Sequence, residues 1–483
     1  MDFPIFHIDF IGNRMLIAVD AILHVLINHA FAVGALPLIA LLEYFGIRSQ
    51  DPRWDNLAQR LLKIIFILTT TVGAMTGVGI WFSASLVNPV AIGSLIRVFF
   101  WGWFVEWIVF VCEVSLIMAY FLSWQKSARS LEAKLKHLRL GIFLAVFSWI
   151  TMAIIVAILG FMMDSGNWMT ERSLLSGLLN PMYFPQLAFR TALAMVMGGM
   201  TMIFLAYLYT RNDLDFRTMA TRTLSRWSGI WMLALVVASI WYSLVIPQHM
   251  LANIPVAVTT QEYVGWNGRL KVLLIVGLSF VGWVVWASVK RPGRVHGANY
   301  LVSVLLLFAM LGQFERVREF IRKPFIIGNY LYANGIRVED YPLLQRDGIL
   351  QHATYASVRE VTPENQLPAG REVFEQTCTR CHTVNGINSI RWQLKKMYGD
   401  KPWQAEVIAA YVENMHGARY FMPPFPGNKA ELNALAVYLA SLQKRAAPFN
   451  GAQINGIPKT DAISGSTHYG SLPNLAKTHG EQH

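Results

Sequence analysis

Long apolar stretches dominate the first 320 residues of the chain. Eight of them, near 15–42, 62–84, 98–124, 139–163, 186–209, 227–247, 270–289 and 298–319, reach the roughly 20 residues a helix needs to cross a bilayer core. Each predicts one membrane-spanning helix, so the expected fold class is all-α, a polytopic bundle of about eight transmembrane helices. Only Arg14 precedes the first stretch, and no small-residue cleavage site follows it, so it reads as a retained helix. Past residue 320 the pattern changes. Residues 321–366 are polar and read as an irregular linker, 367–444 as a small α-helical domain, and 445–483 as an irregular tail rich in Gly, Ser, Asn and Pro. No repeat of domain size is evident.

Composition agrees with this division. Of 483 residues, 54% are apolar and only 14% charged, the signature of a membrane protein with a smaller soluble part. The net charge of +12 could point to an acidic partner such as nucleic acid, but its distribution reports membrane orientation instead. The loops at 43–63, 125–139, 210–226 and 290–297 hold sixteen Lys and Arg, whereas the alternate segments hold Arg14, Arg97, Arg172, Arg269 and Lys271. By the positive-inside rule the four basic loops face the cytoplasm. With eight spans, both termini and everything after residue 320 are then extracytoplasmic.

The chemistry enters at Cys378-Thr379-Arg380-Cys381-His382, a C-x-x-C-H motif. Two thiols at this spacing form thioethers to haem vinyl groups, and the imidazole that follows becomes an axial iron ligand. Upstream, Gly370-Arg371-Glu372-Val373-Phe374 opens a short amphipathic helix. Downstream, Met422-Pro423-Pro424-Phe425 resembles the sixth-ligand loop of the class I cytochromes c, and a helix over 430–443 sets Leu432, Leu435, Ala436 and Leu439 on one face. The expected site is one covalent haem c on Cys378 and Cys381, ligated by His382 and Met422, with Met415 and His416 as alternative sixth ligands. A His/Met pair raises the reduction potential, which suits an electron carrier. Thioether attachment takes place outside the cytoplasm, the side that the charge count assigns to this domain. The third cysteine, Cys112, lies in an apolar run and reads as a core residue.

Ionisable residues inside spans are costly and therefore functional candidates. They include His24, His29, Glu106, Glu113, Arg190 and, at the end of the last span, Glu315, Arg316, Arg318 and Glu319. Glu106 and Glu113 are two helical turns apart and share a face. His24, Glu106, Arg190 and Glu319 fall at a common depth in the outer half of the bilayer. They form either one site or a set of buried ion pairs that tie helices together.

Several of these segments resemble the large haem-bearing subunit of the cytochrome bd-type oxidases. Ala21-Ile22-Leu23-His24 is similar to the segment with that family's outer-side haem-ligand histidine. Gly73-Ala74-Met75-Thr76-Gly77 is similar to its second span. Glu106 and Glu113 resemble its two acids near the high-spin haems, which stand one residue farther apart in the family. Glu319-Phe320-Ile321-Arg322-Lys323-Pro324-Phe325 resembles its E-x-G-R-Q-P-W segment, whose glutamate ligates the second high-spin haem. The resemblance consists of short motifs in the right order along some 320 residues. Its departures are informative. Arg190 and Ile275 occupy the positions of the low-spin haem b ligands, the quinol-oxidising loop is reduced to about 248–269, and the cytochrome c domain stands where a ninth span would be.

The resemblance implies a bd-like terminal oxidase subunit in a bacterial-type energy-transducing membrane. Electrons from a donor such as a cytochrome c would arrive through haem c, with haem b and/or haem d inside the membrane and O2 as substrate. It assigns His24 and Glu319 as membrane haem ligands, Glu106 and Glu113 as catalytic acids, and Arg190 and Arg322 as cofactor-binding cations. Partners would be lipid and a second membrane subunit, with no nucleic acid. A non-oxidase subunit relaying electrons between quinol or partner subunits and cytochrome c stays open, as does a membrane anchor for a cytochrome c. The haem–copper oxidases and the dihaem cytochromes b would need more histidines inside spans than the chain has.

Overall fold

A computed structural model describes residues 4–258 and 267–443; the tail expected from 445 and part of the 248–269 connection lie outside the described residues. Eight helices in it are long and apolar enough to cross a membrane: α1 Asn13–Ser49, α2 Pro52–Val87, α3 Phe100–Ser127, α4 Leu131–Met163, α5 Tyr183–Tyr209, α6 Leu214–Val245, α7 Arg269–Lys290 and α8 Gly297–Ile321. The apolar pattern thus locates every span, but α1, α2, α4 and α6 run well past it, at 37, 36, 33 and 32 residues. Local signals explain the extra length at the start of α2. Asp51 accepts the Arg53 backbone N–H, and Pro52 occupies the first turn, where its missing N–H costs nothing.

The two longest helices are interrupted by π-helical turns, at Asn28–Val33 in α1 and Thr69–Gly73 in α2. Such turns widen the helix and concentrate at functional sites. They pack against each other here. α5 is the most buried span and α3 the least, so α5 forms the centre of the bundle and α3 presents much of its surface outward. α1 and α5 meet backbone to backbone. A Cβ added at Gly198 would stand 2.2 Å from the Gly34 carbonyl carbon, and one at Gly34 would stand 2.1 Å from the Ala194 carbonyl oxygen. Only glycine permits that approach.

The basic loops gather at one end of the bundle. Arg53 pairs with Asp213 at 3.1 Å, Lys134 pairs with Glu43 and Asp55, and Arg217 lies over the Tyr207 ring. The C-terminal helical unit sits at the other end, against residues 9–12 and 320–325. It consists of α9 Gln366–Thr377, α10 Ile390–Tyr398, α11 Ala405–Glu413 and α12 Lys429–Ser441. α9 and α12 cross at Gly370, where an added Cβ would stand 1.9 Å from the Ala434 carbonyl oxygen. Val373, Phe374, Leu394, Ile408, Leu435 and Leu439 fill the core beneath.

Residues 321–366 carry more structure than their polar pattern predicts. Phe325–Ile327 and Leu331–Tyr332 form a small antiparallel hairpin, followed by short helices at Tyr341–Asp347 and Ile349–His352. The order comes from distant partners. The Glu431 carboxylate accepts the backbone N–H groups of Ile349 and Leu350, both at 2.8 Å, while capping its own helix together with Asn428.

Candidate haem-binding sites

The C-x-x-C-H motif begins at the C-terminus of α9. The Cys381 and His382 backbone N–H groups both bond the Cys378 carbonyl, a tight turn that sets the two thiols and the imidazole on one side. Neither cysteine is in a disulfide. Burial pushes the Cys378 thiol up to about 11, against the opposing effect of the Thr377 hydroxyl at 3.3 Å. Nδ1 of His382 lies 3.2 Å from the Asn388 carbonyl, a contact that orients the ring. Of the alternative ligands, Met415 packs on the apolar core and His416 bonds the Met422 carbonyl through Nδ1 at 2.5 Å. His416 therefore braces the loop that carries Met422. A thiol pair, an adjacent imidazole and a thioether on a braced loop form a donor set that fits haem c. Arg380, half-buried within the motif, bonds the carbonyls of Asn334 and Gln376.

The haem loop is fastened to the start of the chain. Asp9 accepts from the backbone N–H groups of Val384 at 2.5 Å and Asn385 at 3.3 Å, and Ile387 N–H bonds the Phe10 carbonyl. Gly386 is required there, because an added Cβ would stand 2.0 Å from the Asp9 carbonyl oxygen.

From this domain a run of contacts leads into the membrane part. Phe421, next to Met422, packs on Phe320 with ring centroids 5.5 Å apart. Lys323 is buried nearby, at the end of α8. Glu319 pairs with Arg322 and Lys323, at 2.5 and 3.3 Å. One turn back, Glu315 pairs with Arg318 at 2.9 Å and, across the bundle, with Arg190 at 2.6 Å. α5, which carries Arg190, packs on the π-turn of α1 that holds His29. The structure pairs Glu319 with Arg322 and Arg190 with Glu315, while His24 meets Gly73 and Thr76 of α2.

His24 Nδ1 lies 3.2 Å from the Gly73 carbonyl and 3.1 Å from the Thr76 hydroxyl, and a Cβ on Gly77 would touch its ring at 3.1 Å. The π-turn in α2 and its small residues thus shape the surroundings of this imidazole. His29 lies in the π-turn of α1, 2% exposed. Its ring nitrogens have only the Val25 backbone as a weak partner and no hydrogen bond of ordinary geometry. The amide of Gln186 and Nε of Arg190 are also buried without a partner. Buried polar groups are nearly always satisfied, so these orphans mark a place that suits a polar cofactor group such as a haem propionate.

Glu106 and Glu113 do not join this set. They interact with each other, and Glu113 accepts from the Thr151 hydroxyl of α4 at 3.0 Å, on the α3–α4 seam. Two further groups escaped the sequence reading. Asp20, one turn before His24, meets the Ser83 hydroxyl at 3.3 Å. Glu43, fully buried at the basic end of α1, bonds His137 and Tyr120. Asp20 is an acid inside an apolar span, the signal that was available for finding it, whereas Glu43 stands just past the end of one. Cys112 is half-buried in an apolar groove, in keeping with a packing role. Among the described residues no cluster of three His, Cys, Asp or Glu side chains could hold a bare metal ion.

Residues 365–439 match the family model described as "Cytochrome C oxidase, cbb3-type, subunit III". The bd oxidase from Geobacillus thermodenitrificans superposes with a TM-score of 0.53 at 16% identity, over 66% of this chain and 89% of that one. The membrane bundle has the bd-oxidase fold. At that identity the likeness concerns architecture, and no curated protein matches the chain at a significant level. A bd-oxidase-like bundle followed by a cytochrome c-type domain makes this a multi-pass membrane haemoprotein of respiratory type, built for a covalent haem c.

Proposed function

We propose that the chain is the haem-bearing subunit of a bd-like terminal oxidase whose electrons arrive through haem c rather than through a quinol loop. One observation carries this reading. Phe421 packs on Phe320, the ion pairs of Glu319 and Glu315 follow along α8 to Arg190, and the helix of Arg190 packs on the π-turn of α1 that carries His29, one turn beyond His24. An inert membrane anchor would have no use for so many buried ionic groups, each costly in a bilayer.

In this reading Cys378 and Cys381 tether haem c, and His382 and Met422 ligate its iron. His24 and Glu319 would hold haem b and/or haem d, with Arg190 and Arg322 beside the propionates. Bound there, haem would supply one-electron transfer and the reduction of O2 to water. The chain's own part is positional and electrostatic. Gly73 and Thr76 orient His24, the Arg190–Glu315–Arg318 group fixes α5 against α8, and Glu106 and Glu113 hold protons on the α3–α4 seam. The basic loops face the cytoplasm, and the c domain, divided at about 320, 366 and 444, works on the outer side. A second membrane subunit and an external donor such as a cytochrome c complete the enzyme.

The test combines haem counting with turnover. A pyridine haemochrome spectrum should show haem c plus at least one non-covalent haem, and the reduced protein should bind carbon monoxide. Oxygen uptake with reduced cytochrome c should be lost in His24→Ala while haem c stays attached. Uptake retained in His24→Ala refutes the role of that imidazole. A second haem without carbon monoxide binding or oxygen uptake favours the electron relay, and a single haem per chain leaves only a tethered carrier.

A further inference from the structure

We propose that Glu43 and His137 form a proton-holding pair at the basic-loop end of the bundle, an inlet that supplies protons to the membrane interior. The argument is one of donors and acceptors. His137 Nε2 lies 2.9 Å from the Tyr120 backbone carbonyl, which can only accept, so Nε2 carries a hydrogen. His137 Nδ1 lies 2.6 Å from Oε1 of Glu43. At that distance a proton must stand between the two atoms, since a bare imidazole nitrogen and a carboxylate oxygen would otherwise present lone pairs to each other. The pair therefore holds one proton, as imidazolium with carboxylate or as imidazole with carboxylic acid. Moving it from one atom to the other requires no movement of heavy atoms.

The surroundings hold the carboxylate end of this pair in place and link it to solvent. Tyr120 donates its hydroxyl to Oε2 of Glu43 at 2.6 Å, and its ring stacks on His137 with centroids 4.4 Å apart. Lys134 reaches Oε1 of Glu43 at 3.0 Å and Asp55 at 2.5 Å, and lies over Trp124, whose Nε1–H donates to Asp55. Exposure falls along this row, from 26% for the Asp55 side chain through 12% for Lys134 to 2% for His137 and none for Glu43. A proton drawn from water at Asp55 can thus replace the one the pair gives up, leaving the charge of the row unchanged. Toward the interior, Glu113 precedes Tyr120 by two helical turns, about 10 Å along the same face of α3, and Glu106 precedes it by two more. Facing them on α4 are His137, Ser148 and Thr151, spaced to share one side of that helix. A mere tie between helices would need these bonds but no surplus proton, and the Nδ1–Oε1 geometry demands one.

Only the final use of the proton rests on the oxidase reading. The holding site can be examined without any membrane haem, by infrared spectroscopy of the full-length protein during exchange into heavy water. Wild type should show an exchangeable carboxyl or imidazolium band that disappears in Glu43→Gln, a variant that keeps the size and the acceptor for Tyr120. Asp55→Asn, at the rim, should keep the band and exchange it at least roughly tenfold more slowly. An unchanged band in Glu43→Gln, or unchanged exchange in Asp55→Asn, overturns the proposal. Should Glu43→Gln fail to fold, the Asp55→Asn arm decides alone. Oxygen uptake by Asp55→Asn then tests delivery separately. Slower exchange with normal uptake disproves the supply role, and a wild type without uptake refutes the oxidase reading instead.

Discussion

Replacing Gly198 by alanine tests whether the approach of α1 to α5 builds the membrane site. The added methyl would stand 2.2 Å from the Gly34 carbonyl carbon and 2.4 Å from its oxygen. These are backbone atoms, so no side chain can turn away. Restoring ordinary contact, 3.4 Å or more, requires the helices to part by roughly 1 Å. Overpacking of this kind costs about 1–3 kcal/mol, and backbone on both sides places this case near 3. The Gly34 end of the π-turn lies within two turns of His29, and Arg190 lies two turns before Gly198, so the strain falls on the His29–Arg190 neighbourhood. A site that loses about 3 kcal/mol binds a non-covalent group on the order of a hundredfold more weakly. The covalent haem c is an internal standard, since its thioethers are far from α5. The assay is therefore the ratio of extractable to covalent haem in purified protein, with thermal unfolding alongside. The expected result is a lowered ratio, a lowered midpoint and an unchanged haem c content. A ratio and a midpoint both equal to wild type would show that the two backbones do not meet as closely as described.

Three further outcomes are expected. Arg190→Leu strips Glu315 of one of its two guanidinium partners; breaking a buried pair costs about 3–5 kcal/mol, and the surviving Arg318 places this case near 3, seen as a lower thermal midpoint that Glu315→Gln in the same chain partly restores. Met422→Leu should keep haem c attached through Cys378 and Cys381 but lower its reduction potential in a redox titration, whereas an unchanged potential would point to another sixth ligand. Asp9 has its carboxyl held below the ordinary range: burial works to raise it, and hydrogen bonds from His7 and the Val384 and Asn385 backbones outweigh that effect. Because the folded value is the lower one, the contribution is complete above the ordinary aspartate range and is lost as pH falls through the lowered value. Asp9→Asn should cost about 1 kcal/mol at neutral pH, after discounting for solvent at this partly exposed side chain, and protease should cut the segment before Asn13 faster.

Much of the fold was legible because a bilayer enforces a simple rule. Each span had to be a long apolar run, and the runs near 186–209 and 298–319 became α5 and α8 with small shifts at their ends. The haem c motif was legible because its chemistry is local, five residues in a row. The pairings were not. Arg190 stood out as a cation inside a span, but its partner Glu315 lies 125 residues away and is fixed only by the way α5 packs on α8. The π-turns at Asn28–Val33 and Thr69–Gly73 leave no mark in an apolar pattern, and they set what surrounds His24 and His29. Glu106 was expected at the depth of His24, yet α3 lies toward the outside of the bundle and takes Glu106 and Glu113 to a separate seam. Glu43 was passed over because it stands near a span end, where an acid reads as solvated; the end of α1 is instead covered by Tyr120 and His137.

The grip of residues 9 and 10 on the loop after His382 has a kinetic corollary. Electron carriers on flexible leashes swing between donor and acceptor, and their turnover slows as the medium thickens. Residues 9 and 10 and Phe421 hold the cytochrome c domain against the bundle, so in the proposed oxidase the hop into the bilayer would span a constant gap. Added glycerol should slow the arrival of the external donor and leave that internal hop untouched.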